Sequence, residues 1–556
     1  MSSETHRGAA TAANANAPQE GELKKTQKPG WIFAVAVGSA VGWGAFVLPV
    51  DWLHQGGIVG AALGMAIGGA LIALIALSYG IVIKALPVTG GEVAYALVAF
   101  GRRHAFVVGW FLTLGYLCIV ALNASAMALV ARRLAPGIME KVHLWTIAGF
   151  DVYLPEVIFA SACLVLFGWL NIRGAEFGGR VQFIAVIIML IAVALIVIGV
   201  VALAGRNELS FGPAFPTDVP PMAAIITLVA IAPWAFIGFD NVPQVAGEFN
   251  FSPRKALGLI LFAIFAAVAI YVLMIMAVSL SAGPGIENIG DDTWAPADVI
   301  AGVLGQFGVV LLVIGVSMGI FTGLNGFTMS ASRVILSLGR ARMLPEATAK
   351  INPRFHTPHV ALVVVVLLCL ITPWFGRAAL SWVVDMSSVG VTIAYFYTCL
   401  CAFKVMHRDR SLLRASGERV PFWMALSGPV ALLGALISIM FLLLLFLPFS
   451  PGALGKESLI ALIAWLVLGV IFFLVRRPRF EALTEEETRD VMLGEHQDVY
   501  LDQEHIDEEV ERITGAIPIV PMPGADTSDL APHTAAAAET LAEQEPDDPD
   551  PAKPMK

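Results

Sequence analysis

Twelve apolar stretches, most of them near the roughly 20 residues that a helix needs to cross a hydrocarbon core, constrain this chain more than any other feature. They run over about 31–53, 58–83, 106–130, 157–170, 181–204, 223–245, 256–280, 299–336, 360–373, 381–403, 421–447 and 459–475. The eighth is too long for the bilayer alone and is expected to extend beyond it, whereas the fourth and ninth are short. With 58% hydrophobic and only 14% charged residues, the chain reads as an all-α integral membrane protein of about 12 transmembrane helices.

Basic residues orient it, because Lys and Arg in short loops stay on the cytoplasmic side. Alternate loops collect Lys84, Arg173, Arg254, Arg333, Arg342 and Arg408, and the opposite loops hold only Arg132, Arg133, Lys141, Arg206, Arg377 and Lys456. Both termini are therefore predicted to be cytoplasmic, in a multi-pass protein of the plasma membrane. Residues 1–30 have no signal-peptide h-region and read as a disordered tail. Residues 477–556 form an acidic tail, expected to be partly helical and then disordered, which carries most of the net charge of −9.

Chemistry on a substrate is not indicated. The five cysteines, Cys118, Cys163, Cys369, Cys399 and Cys401, lie inside apolar runs without metal-ligand spacing and read as packing residues. Walker A and HExxH patterns are lacking. The expectation is a non-enzyme with no cofactor, no metal and no nucleic-acid partner, in contact with lipid and a small molecule. The sequence leaves the oligomeric state open.

The first run contains "AVGSAVGWGAFVLP", with three glycines and a proline where a straight helix would exclude them. The sixth, "IAPWAFIGFDNVPQVAGEF", is interrupted by Pro233, Gly238, Pro243 and Gly247 and carries Asp240 and Asn241. Runs one and six open two successive sets of five, the spacing of an inverted repeat with matched broken helices. Unwinding at midplane exposes N–H groups on one half-helix and C=O groups on the other, which suit a carboxylate and an ammonium respectively. An α-amino acid presents both. The carboxylate is placed near the amides of Gly42, Trp43, Gly44 and Ala45, and the ammonium near the carbonyls of residues 36–38, including Gly38, and 234–237. Close helix packing is the alternative reading of these glycines.

The chain resembles the amino acid, polyamine and organocation permease superfamily. "VGWGAFVLP" looks like that family's first-helix pattern and "PWAFIGFDNVPQVAGEFNFSPRKA" like its sixth helix and following loop. "LPVTGGEVAYALVAFG", "NIRGAEFGGRVQFI", "SASRVILSLGRARMLPEATAKINPRFHTP" and "MSSVGVTIAYFYTCLCAFK" continue the likeness in order. It implies a LeuT-like fold of five plus five helices and two more, divided as 31–205, 206–406 and 407–476. It implies that Trp234 stacks on substrate, that Ala235 and the unwound Ile237–Gly238 backbone line the site, and that Asp240 helps to gate. Asn325 and Phe327 on the eighth helix align with positions facing the substrate side chain. Thr113 and Tyr116 enter by helical position alone, Tyr116 as a packing residue. Trp43 stands where serine is common, as an aromatic wall or as a packing side chain. The lysine that many members carry on helix five is replaced near Met189.

The implied function is secondary active transport of an amino acid by alternating access, with symport or exchange and a neutral or apolar substrate. Aromatic Trp43, Trp234 and Phe327 favour that substrate. A cationic amino acid or polyamine is the alternative, drawn in by Glu287, Asp291, Asp292 and Asp298; a non-transporting sensor is the reading from another class. Asp240 is expected to couple a proton, to gate without proton transfer, or to cap the half-helix beginning near Asn241. Glu248 is expected to form an inner-gate ion pair with Arg254 or another basic loop residue. Ser330 and Ser332 are weak sodium candidates.

Overall fold

In the computed structural model, which describes residues 23–204, 210–289, 294–376, 378–450, 452–496 and 498–516, the first apolar run breaks where its glycines stand. Helix α1 (Pro29–Val41) ends at Gly42, whose φ of 49° and ψ of −144° lie outside any helix. Helix α2 (Gly44–Val47) restarts two residues on. Pro49 does not end the run. It begins α3 (Pro49–Ala85), in the first turn, where no N–H is needed. The reversal into the second run falls instead at Gly57, with φ 63° and ψ −178°. An added Cβ there would lie 2.5 Å from the Ala214 carbonyl oxygen, so only glycine lets the chain turn against that loop.

Helix α4 (Gly91–Phe100) is short and α5 (Arg102–Leu134) long. A two-stranded antiparallel hairpin follows, β1 (His143–Ile147) and β2 (Phe150–Tyr153), turning through Ala148 and Gly149, both at positive φ. It is a small addition to an otherwise helical chain. The strands are too short and too exposed to show an alternating pattern, and Trp145 anchors them by stacking on Trp374 at 5.8 Å. Helices α6 (Leu154–Ile172) and α7 (Ala175–Ala204) come next.

The sixth run is divided into α8 (Pro221–Ala230), α9 (Ala232–Ala235) and α10 (Asn241–Gln244). Helix α11 (Ala256–Ala282) leads to α12 (Ala295–Arg340), 46 residues long, which turns at Gly305 (φ 60°, ψ −154°). The excess length of the eighth run is thus partly a bend before the span. Helix α13 (His359–Cys369) has 11 residues and passes into a 3-10 turn, Thr372–Phe375. Helices α14 (Ala378–Ala415), α15 (Phe422–Phe446) and α16 (Lys456–Phe480) complete the apolar part. Among the described residues nine helices are long and apolar enough to cross a membrane, as befits a multi-pass membrane protein. The first, sixth and ninth runs are the ones divided into shorter pieces.

Broken α1 packs against α7, α11 and α12, so it sits inside the bundle and not at its rim. Helix α5 packs on α12 and α14 and is buried nearly all round. Small residues set these distances: at Gly390 of α14 an added Cβ would meet the Phe111 carbonyl oxygen at 2.5 Å and the Gly115 nitrogen at 2.9 Å. Ahead of α1, Gln27 pairs in parallel with the segment after the sixth run. Its N–H donates to the Glu248 carbonyl at 3.0 Å, and its carbonyl accepts from the Asn250 N–H at 3.1 Å.

The acidic segment after α16 folds back on the arginine-rich end. Helix α17 (Glu485–Leu493) opens with a capping box between Thr484 and Glu487, and α18 (Gln503–Ala516) packs against α14. Arg102 donates to the carbonyls of Phe480 and Leu483 at 2.9 and 2.7 Å, and Met492, Leu493, Leu501 and Ile506 are buried beneath it. The expectations for the extreme ends, 1–22 and 517–556, lie outside the described residues.

Overpacking a close helix crossing costs about 1–3 kcal/mol. Gly390→Ala is expected to lower the melting temperature of the detergent-purified protein. Gly258→Ala, where nothing lies within 4 Å of the added Cβ, is expected to leave it unchanged or raise it. Equal melting temperatures for the two variants would contradict the packing described.

Candidate functional site

The two broken runs cross each other at their breaks. Gly238, at φ 130°, presents its bare Cα to the end of α1: an added Cβ would stand 2.6 Å from the Ala40 nitrogen and 2.7 Å from the Ser39 carbonyl carbon. From the other side, Gly319 of α12 receives the Gly42 carbonyl so closely that any side chain would overlap it. The break of the first run is therefore held between the sixth run and α12, and both contacts require glycine. Gly38 lies one turn earlier, its Cβ position 2.7 Å from Thr322 Cβ.

Around this crossing stand the aromatic residues. The Trp43 and Trp234 rings meet edge to face, 6.0 Å apart at 64°. Trp234 also covers Gly44, whose Cβ position is 3.3 Å from Trp234 Cη2. Trp43 thus faces the site and not lipid. Ala45, Ala235 and Ile237 are buried beside it. Phe327 of α12 packs on the Tyr116 ring at 5.6 Å.

Carbonyl groups converge on one atom that the sequence did not point to. The Tyr271 hydroxyl of α11 lies 2.7 Å from the Ala40 oxygen, 2.8 Å from that of Ala235 and 3.2 Å from that of Val41. One hydroxyl proton cannot satisfy three carbonyls, so the ends of α1 and α9 make an electron-rich corner. The expected carbonyl at Gly38 is otherwise engaged, accepting from Thr322 Oγ1 at 2.9 Å and from the Gly42 N–H at 3.1 Å. This carbonyl corner therefore lies two to three residues after Gly38 on the first run, and at Ala235 on the sixth. On the opposite side of the break α2 starts at Gly44, and its Phe46 N–H donates to the Trp43 carbonyl at 3.0 Å.

Asp240 is fully buried, but it does not cap α10. No side-chain bond to that helix forms; Oδ1 instead accepts from the Gly238 N–H behind it at 2.6 Å, and Oδ2 accepts from the Tyr116 hydroxyl at 2.9 Å. The capping expectation fails because Gly238 turns its amide back toward the carboxylate. Tyr116, expected only to pack, is a direct partner of the acidic residue. Thr113 is engaged elsewhere, donating to its own helix at Gly109.

Asn325 faces away from the breaks. Its Nδ2 donates to Gln182 Oε1 at 2.9 Å, and its Oδ1 accepts from Asn171 at 3.1 Å. Gln182 donates in turn to the Thr322 carbonyl at 3.1 Å and lies 3.4 Å from that of Ala34, while Met189 is buried. An amide chain thus ties α6, α7 and α12 to α1 on the side where related permeases often place a lysine. Ser332 donates to Met329 and accepts from Arg333, so that of these two serines it is Ser330 whose Oγ has no partner among the described residues.

Glu248 closes the arginine-rich end, paired not with Arg254 but with another of the basic residues expected on that side. Both of its oxygens are held by Arg333 of α12, at 2.9 and 3.1 Å, with the two side chains only 2% and 1% exposed. Arg254 is exposed in the following turn. Arg333 lies on the far part of α12, whose phase relative to the sixth run leaves no mark in the residue pattern.

A family model described as amino acid permease matches residues 31–473, and the chain belongs to that family. It is 25% identical to the branched-chain amino acid permease BcaP of Lactococcus lactis subsp. cremoris, across 70% of this chain and 84% of that protein. It is 24% identical to a methylthioribose transporter of Bacillus subtilis, across 80% of this chain and 91% of the relative. It is also 25% identical to L-asparagine permease 1 of Mycobacterium bovis, over 73% and 82% respectively.

Two outcomes follow from this geometry. Removing one member of a buried ion pair strands the other and costs about 3–5 kcal/mol, so Glu248→Ala should markedly lower detergent melting temperature and expression, whereas Arg254→Ala should not. Gly44→Val pushes a branched side chain into Trp234; it is expected to abolish ligand-induced thermal stabilisation while preserving a monodisperse protein, and normal stabilisation would refute the site.

Proposed function

We propose that this permease is a secondary active transporter of a neutral amino acid with an apolar or uncharged side chain, working by alternating access through symport or exchange. The observation that carries the reading is the corner formed by the Ala40, Val41 and Ala235 carbonyls around the Tyr271 hydroxyl, with the start of α2 across the break. An α-ammonium has three donors for three carbonyls, and an α-carboxylate suits a helix start. Gly38, Gly42 and Gly44 then let the ligand and α12 approach the backbone. Trp43, Trp234 and Phe327 would meet the side chain.

The relatives named for branched-chain amino acids and asparagine support a neutral substrate. Of the acidic residues that would favour a cation, Asp298 is paired with Arg133 at 2.8 Å; Asp291 and Asp292 lie outside the described residues, as does the Glu287 side chain. The broken first and sixth runs support a five-plus-five repeat with two further helices. The bias of basic residues supports cytoplasmic termini in a plasma membrane. Asp240, beside the break and joined to Tyr116, is the coupling and gating carboxylate of this reading, and the Glu248–Arg333 pair is its inner gate.

Reconstitution into proteoliposomes with radiolabelled leucine tests it. Saturable counterflow, inhibited by neutral amino acids better than by arginine or putrescine, is expected; no transport, or stronger inhibition by the cations, would overturn it. Asp240→Asn is expected to depress proton-gradient-driven accumulation at least about tenfold relative to exchange, a difference of ~1.4 kcal/mol in the coupled step. Unchanged accumulation would remove Asp240 from the coupling role.

A further inference from the structure

A second carboxylate is buried below the unwound segment. Glu92 stands in the first turn of α4, 0% exposed. The loop before it is wedged against the sixth run: the Gly90 N–H donates to the Gln244 carbonyl at 3.1 Å, and Thr89 bridges Val245. At Gly91 an added Cβ would lie 2.9 Å from Pro243 Cβ.

The amide of Gln244 joins this carboxylate to the first one. Its Nε2 is in close hydrogen-bond contact with Glu92 Oε2 and 3.5 Å from the Tyr116 hydroxyl, which itself donates to Asp240. Asp240 and Glu92 are therefore three hydrogen-bond links apart. Glu92 Oε1 has no partner among the described residues.

Every polar group facing the pair is neutral or acidic. Helix α3 supplies Tyr79, α5 supplies Tyr116, α14 supplies Tyr395 and α4 itself Tyr95, all fully buried. Tyr79, Tyr395 and Phe239 close the surroundings as a triangle of aromatic contacts, 5.2 to 6.1 Å between centroids, with Tyr79 edge-on to the other two and Phe239 tilted at 35° to Tyr395. The neighbouring cations are committed elsewhere: Arg333 holds Glu248, and Lys404 donates to the Ala99 carbonyl at the far end of α4. Two desolvated carboxylates without a counter-ion cannot both remain ionised.

We infer that Glu92 is a second proton-binding carboxyl, sharing one proton with Asp240 across Tyr116 and Gln244, so that protonation from the arginine-rich end is linked to the conformation of the unwound sixth segment. The proton comes from and returns to solvent when that end opens, because opening separates α4 from α10 and wets Glu92 first. No other bond is made or broken. The inference rests on the transport reading only for its consequence, since the shared proton is a property of the unliganded protein.

Infrared spectroscopy of the purified protein without substrate tests the proton directly. The difference spectrum of wild type minus Glu92→Gln at neutral pH is expected to contain the C=O band of a protonated carboxyl, and that band should shift or weaken in Asp240→Asn. A flat difference spectrum overturns the inference, as does a Glu92 band unaltered by Asp240→Asn, which would mean that Glu92 holds its proton alone. In proteoliposomes, the pH dependence of leucine counterflow is expected to shrink from about tenfold in wild type to less than about twofold in Glu92→Gln and to return in Glu92→Asp. A wild-type profile retained by Glu92→Gln counts against it. If wild type transports no leucine, the transport reading fails while the infrared result still decides the shared proton.

Discussion

The absence of a side chain at Gly238 is the condition on which the centre of this permease depends. It lets the sixth run lie on the backbone of Ser39 and Ala40, and that contact brings the carbonyl ends of α1 and α9 to a common point. A single methyl group there would drive the two breaks apart. The Gly238 amide, freed from any helix, supplies one of the two hydrogen bonds that hold Asp240. Carbonyl corner and buried acid are thus two results of one backbone contact.

The site was legible where backbone chemistry leaves a mark in the sequence. Glycine and proline inside an apolar run announce a break, and both breaks fall where those residues lie. Side-chain direction on the long straight helices was less accessible. Asn325 and Phe327 are two residues apart on α12 and point to different neighbours, yet both had been assigned to the substrate. Tyr271 carries no signal at all, since a tyrosine in an apolar helix is ordinarily a packing residue. Glu92 was visible as the acidic residue in "GGEVAYALVAF", but its meaning depended on Gln244, about 150 positions away.

The amide chain from Asn171 through Asn325 and Gln182 gives the molecule a second kind of connection. It joins α6, α7 and α12 to α1 by neutral hydrogen bonds, each satisfied without a mobile ion. Such a chain keeps its geometry whatever the ionic conditions, because no member gains or loses charge in the physiological range. On this side the permease is a fixed frame. The titratable groups gather on the other side of the break, between α4, α5 and the sixth run.

The pairing of Gln27 with the segment that carries Glu248 ties the outermost described part of the chain to its buried centre. Two backbone hydrogen bonds, one on each side of Phe249, make this short stretch a zipper tooth engaged beside the Glu248–Arg333 pair. Tilting α1 outward must either unzip it or drag the Glu248 segment along. A tag, a partner or a lipid surface that pulls on the chain ahead of Lys28 therefore loads that segment mechanically, without touching either helix break.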